Sequence, residues 1–161
     1  MRIRKAYLFV FVLIAMLAVG CGVISQIEIK KDVIDNARFI RVAEASGFAV
    51  KDDTDMYVNV GGLKSALYVC SSDGKLIYQF FVFDNADIAD DEFDIFRKTL
   101  DDTFVTEDHS SFTGDNFLIY KLTGVKDYHH LCAVDNTLFY GKSRTEDMDT
   151  VKDFAREFGY N

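Results

Sequence analysis

From Ala6 to Ile27 the chain carries no charged side chain for 22 consecutive residues, and Arg2, Arg4 and Lys5 stand immediately before that stretch. A helix on the surface of a small globular domain needs a polar face, and this segment has none. About 20 apolar residues suffice to cross a bilayer. A basic flank followed by an apolar stretch is also the pattern of an export signal, whose positive end stays in the cytoplasm. The chain therefore divides into a membrane-directed segment (1–20), a short tether (21–31) and one folding unit (32–161). Neither a low-complexity linker nor a long charge block interrupts that last part.

The end of the apolar stretch adds detail. Leu17-Ala18-Val19-Gly20-Cys21 places small and apolar residues directly before a cysteine, and Phe11 to Met16 are uncharged. This segment resembles the lipobox of bacterial prolipoproteins, with Ala18 where Leu is commoner. The resemblance covers the first 21 residues. It implies cleavage before Cys21, a lipid on Cys21 and residence on the outer face of the cell membrane. The same residues also read as an uncleaved single-span anchor, or as the signal of a secreted product. All three readings export the residues beyond about 30. In layout the chain resembles the small, uncharacterised lipoproteins of Gram-positive bacteria, a likeness that implies location and transfers no catalytic residue.

Export changes the charge balance. The whole chain has 18 Lys+Arg against 26 Asp+Glu, for a net charge of −8. Loss of residues 1–20 removes three basic side chains and no acidic one, leaving 15 against 26 and a net charge of −11. A chain this acidic repels phosphate backbones, so nucleic acid is excluded as a partner class. The same charge keeps an exported domain soluble, and it suits a protein or basic-peptide partner.

The folding unit reads as α+β: an antiparallel sheet built from hairpins with about three helices packed on it, in the order α-ββ-α-βββ-α. A first helix is predicted over Asp32–Ser46, capped by Asp32 or Asp35, with Ala37, Ile40 and Ala43 on its apolar face and Gly47 as its stop. Thr145 is expected to cap the last helix, whose apolar face is Met148, Val151, Ala155 and Phe158, before Gly159-Tyr160. The two endings share the pattern A-[ER]-x-x-G-[FY]. Common helix-stop chemistry and an internal duplication both account for it. Strands are predicted over Leu63–Ser71 and Leu76–Phe83, joined by Ser72-Asp73-Gly74. The second is apolar on both faces apart from Gln79, as a central strand or a binding face would be. Acids from Asp87 to Glu92 crowd the start of a middle helix, and the helix dipole accounts for them. Phe93, Phe96, Leu100 and Phe104 form its stripe. Further strands follow at Asn116–Thr123, His129–Val134 and Thr137–Tyr140, with a turn at Asp135-Asn136.

Candidate chemistry is sparse. Cys70 and Cys132 both fall in predicted strands, where an oxidising compartment allows a disulfide and a buried-thiol role is equally open. Cys132 and His130, two apart on one strand, share a face, and an imidazole beside a thiol can activate it. Asp127 or Asp135 could orient that ring. His109, His129 and His130 have no metal-site spacing, the acidic runs lack the order of a calcium loop, and no cofactor motif is present. Phe80, Phe81, Phe83, Phe93, Phe96, Phe104, Phe112 and Phe117 are candidate core residues. Tyr57, Tyr68, Tyr78, Tyr120, Tyr128 and Tyr140 could line a binding face. The expected function is a membrane-anchored, extracytoplasmic binding or interaction module. The alternatives are a small thiol-dependent enzyme and a surface-held inhibitor or immunity-type protein.

Overall fold

The computed structural model describes residues 29–161. Cys21, the apolar stretch and most of the tether lie outside the described residues. Among the described residues no helix is long and apolar enough to cross a membrane.

Helix α1 (Asn36–Ala45) begins at Asp35, whose Oδ1 accepts the Arg38 N–H at 2.8 Å. Asp32 takes no part in that cap. Three strands follow: β1 (Lys51–Asp52), β2 (Leu63–Cys70) and β3 (Ile77–Phe83). Helix α2 (Ala86–Thr103) is capped by Asn85, whose side chain accepts the Ile88 N–H. Four strands come next: β4 (Thr106–Thr113), β5 (Phe117–Gly124), β6 (Asp127–Val134) and β7 (Thr137–Arg144). A 3-10 turn (Thr145–Asp147) leads into α3 (Met148–Arg156).

The seven strands form one antiparallel sheet in the order β1-β2-β3-β7-β6-β5-β4. The α+β class and the three helices agree with the sequence reading. The two strands it lacked, β1 and β4, are the two edges of the sheet. Every residue of β1 is exposed, and so is nearly all of β4, so neither shows the apolar alternation that marks a half-buried strand.

Both faces of the sheet are covered. On one, α1 and α3 lie over Phe80, Tyr78, Phe139 and Cys132; on the other, α2 lies over Phe81, Phe83, Leu131 and Leu138. Central β3 sends alternate side chains into both cores, which explains its unbroken apolar run. The helix stripes shift accordingly. On α1, Ala43 is buried and Ile40 packs against the core as expected, but Ala37 is exposed and Phe39 takes its place, stacked on Phe80 at 5.1 Å. Phe112, expected in the core, is 55% exposed and lies beneath the Lys121 ammonium. Gly141 lets α3 sit close to the sheet, because a Cβ there would meet Val151 Cγ1 at 2.5 Å. Thr145 does not cap α3: its hydroxyl donates to the Gly124 carbonyl at 2.8 Å and ties the helix entry to the β5–β6 turn.

Candidate functional site

The cysteines do not converge. Cys70 lies exposed on β2, Cys132 lies buried on β6, and both are free thiols. Two strands, β3 and β7, separate them. Three strand spacings amount to about 14 Å, well beyond the reach of a disulfide.

The two histidines of β6 point to opposite faces. His129 lies against Phe104 and Tyr140 on the α2 side, and its Nδ1 is 2.8 Å from the Tyr140 hydroxyl. His130 lies against Tyr128 and Phe139 on the α1/α3 side. Its Nε2 is 2.9 Å from the Tyr160 carbonyl, so Nε2 carries the proton and donates it, leaving buried Nδ1 without a partner. Burial first, and then the Lys121 charge, press the His130 pKa down to about 3. Burial, followed by Lys142, brings His129 to about 4. Burial raises the Cys132 thiol to about 12, and its nearest partner is the Ala133 carbonyl at 3.9 Å. Asp127 faces Lys142 and Arg144, and Asp135 accepts from Asn116. A protonated thiol, and an imidazole already committed to a carbonyl, do not make an activated nucleophile. His109 stands exposed on β4, and among the described residues no three His, Cys, Asp or Glu side chains converge to hold a metal ion.

A concavity lies elsewhere, between α1 and α3. It is an open groove of about 610 Å³. Deeper along the helix pair, Phe39 packs against Phe154 and Phe158 and holds α1 and α3 together. Toward the C-terminal end of α1 the helices leave a trough over the half-buried Phe48, with Tyr78 and Phe154 buried beneath it. Tyr78 stacks on Phe154 at 3.9 Å, and Phe48 meets the Tyr78 ring edge-on at 5.8 Å. The Tyr78 hydroxyl donates to the Thr150 carbonyl at 3.3 Å, and burial raises its pKa above the ordinary range.

Local sequence builds each part of the trough. Gly47 adopts a positive φ of 83°, which turns the chain back so that the Phe48 N–H donates to the Ala43 carbonyl at 2.9 Å. That reversal lays the Phe48 ring on the floor. The α1 wall presents Arg41 and Ser46, and the α3 wall presents Asp153 and Glu157. Of the six tyrosines read as a possible binding face, only Tyr78 lines this groove. Phe48 and Phe154 belonged to no candidate set, although the Gly47-Phe48 stop was the signal for the first.

No family model matches the chain, and no curated protein matches it. A GTP-binding regulator from Thermotoga maritima is similar among solved structures. It is 16% identical, over 78% of this chain and 87% of that one, with a TM-score of 0.47. A likeness of that size carries neither activity nor ligand across.

Proposed function

We propose that the chain is a membrane-tethered, extracytoplasmic binding module whose ligand site is the groove between α1 and α3. The observation that carries the binding half is the groove itself: a concave site with the half-buried Phe48 ring in it and a few charged groups on its rim has the form of a ligand site. The tether half rests on the basic flank, the uncharged stretch and Cys21, with the lipid anchor preferred to a single span. In this reading the domain stands on the outer face of the cell membrane and meets its ligand there.

Two experiments test the halves separately. Cells fed radiolabelled palmitate are expected to label the protein, and Cys21→Ala to abolish the label; an unlabelled wild type removes the lipid anchor. Hydrogen-exchange mass spectrometry of the full chain in detergent, with p-cresol as an aromatic probe, is expected to slow exchange at the α1 C-terminus and in α3. Protection elsewhere, with none there, moves the site off the groove.

A further inference from the structure

Resting on the groove as ligand site, we infer that its occupant is a small zwitterion with an apolar side chain, namely an amino acid or short peptide with free ends. The walls carry opposite charge. Among the described residues the Arg41 guanidinium on α1 makes no hydrogen bond or ion pair, and neither does the Glu157 carboxylate on α3. Asp153, beside Glu157, is engaged by Arg156 at 2.5 Å. One open guanidinium and one open carboxylate therefore line the same groove, one on each side of it.

Each part selects a feature of the ligand. A guanidinium is a planar fork that matches a carboxylate in two parallel hydrogen bonds. The carboxylate opposite matches an ammonium group. The half-buried Phe48 ring between them, with Tyr78 and Phe154 buried beneath it, takes an apolar side chain. A phosphate or nucleotide would put two or more negative charges against Asp153 and Glu157. A simple cation would meet Arg41. A zwitterion satisfies both walls at once and leaves neither charge opposed. A groove of about 610 Å³ falls within the range of small-ligand sites.

The test is calorimetric titration of the full chain in detergent with the dipeptide Phe-Leu, alongside its N-acetylated and C-amidated forms, with hydrogen exchange reporting where each binds. Free Phe-Leu is expected to bind and protect α1 and α3. Blocking either end, or the substitutions Arg41→Gln and Glu157→Gln, is expected to weaken binding by about tenfold, the scale of one charge-assisted hydrogen bond. Both substituted side chains are exposed, so the variants keep the fold. Doubly blocked Phe-Leu binding as tightly as the free dipeptide, with protection still in the groove, overturns the zwitterion and leaves the groove standing. The same holds if p-cresol protects the groove and free Phe-Leu does not. If neither probe protects α1 or α3, the groove falls and the zwitterion with it.

Discussion

Helices α1 and α3 end with the same chemistry and put it to different uses. Gly47 and Gly159 both take a positive φ, at 83° and 76°. In each case the next residue donates its N–H five residues back at 2.9 Å, Phe48 to Ala43 and Tyr160 to Ala155. Past that point the two ends diverge. Phe48 stays half-buried on the floor of an open groove. Tyr160 is wholly buried: its hydroxyl accepts the Ile34 N–H at 3.1 Å, and its carbonyl meets His130. The Thr137 hydroxyl donates to the Val134 carbonyl, so the hydrogen shared between Thr137 and Tyr160 comes from the tyrosine. One stop presents a ring to solvent, whereas the other locks the segment before α1 to the end of α3. The local motif sets only where the chain reverses; what the reversed side chain meets is decided by the rest of the fold.

The strongest way to break this contrast is to delete each ring. Tyr160→Ala is expected to cost about 3–5 kcal/mol, the range for a buried aromatic, and also to orphan the Ile34 N–H. Phe48→Ala is expected to cost about 1–2 kcal/mol, within the ordinary range for single substitutions. Urea denaturation of the two variants checks this; equal losses would mean that the Phe48 ring is as structural as Tyr160.

Acid probes the same lock. His130 donates to the Tyr160 carbonyl as a neutral ring, and its folded pKa lies far below the ordinary 6.5. The unfolded chain therefore binds the extra proton more readily. Stability from this group is complete above pH 6.5 and declines as pH falls toward about 3. His129 on the opposite face adds the same trend down to about 4. At pH 5 each histidine is expected to withdraw about 2 kcal/mol. Chemical denaturation at pH 7 and pH 5 measures the loss, and His130→Gln is expected to halve it. A pH-independent midpoint over that interval would show that neither ring is held neutral.

A smaller effect sharpens the local half of the contrast. A Cβ at either Gly47 or Gly159 would meet nothing within 4 Å, so alanine there suffers only the backbone penalty of positive φ. Gly47→Ala and Gly159→Ala are each expected to cost about 1–2 kcal/mol. Thermal unfolding that separates the two by more than that would mean the stops differ locally after all. The smallest perturbation is chemical. Cys132 lies in the core beneath the Tyr160 end, whereas Cys70 is open to solvent. Of these two, iodoacetamide is expected to modify only Cys70 in the folded protein, and both in urea.

How far these features were legible in the sequence follows from what writes a periodic signal. The hairpins β2–β3 and β6–β7 were readable because apolar runs flank short turns, Ser72-Asp73-Gly74 and Asp135-Asn136. Both helix stops were readable because glycine followed by an aromatic has one common use. The edges β1 and β4 were not, since a strand exposed on both faces needs no pattern. The exposure of Ala37 depends on which face of α1 meets Phe80, a tertiary fact. The groove was hidden for a related reason. Arg41 and Glu157 read as ordinary surface charges until α1 and α3 are laid side by side, and Phe48 and Phe154 differ in sequence from none of the other phenylalanines. Cys132 and His130 show the converse: strand spacing puts them on one face, and burial decides that the thiol stays protonated.

The position of β7 has a consequence for how this fold comes into being. It is the last strand in the chain and the central one in the sheet, pairing with β3 from Ile77↔Lys142 to Val82↔Thr137. A polypeptide emerging N-terminus first can close β2 on β3 and β5 on β6 early, but these pieces share no seam until Thr137–Arg144 arrives. Joining them closes a loop of more than fifty residues, and pairings so distant in sequence make folding slow. The two halves of the sheet consequently stay unjoined until Thr137–Arg144 has been made, and the core on each face of the sheet cannot close before then.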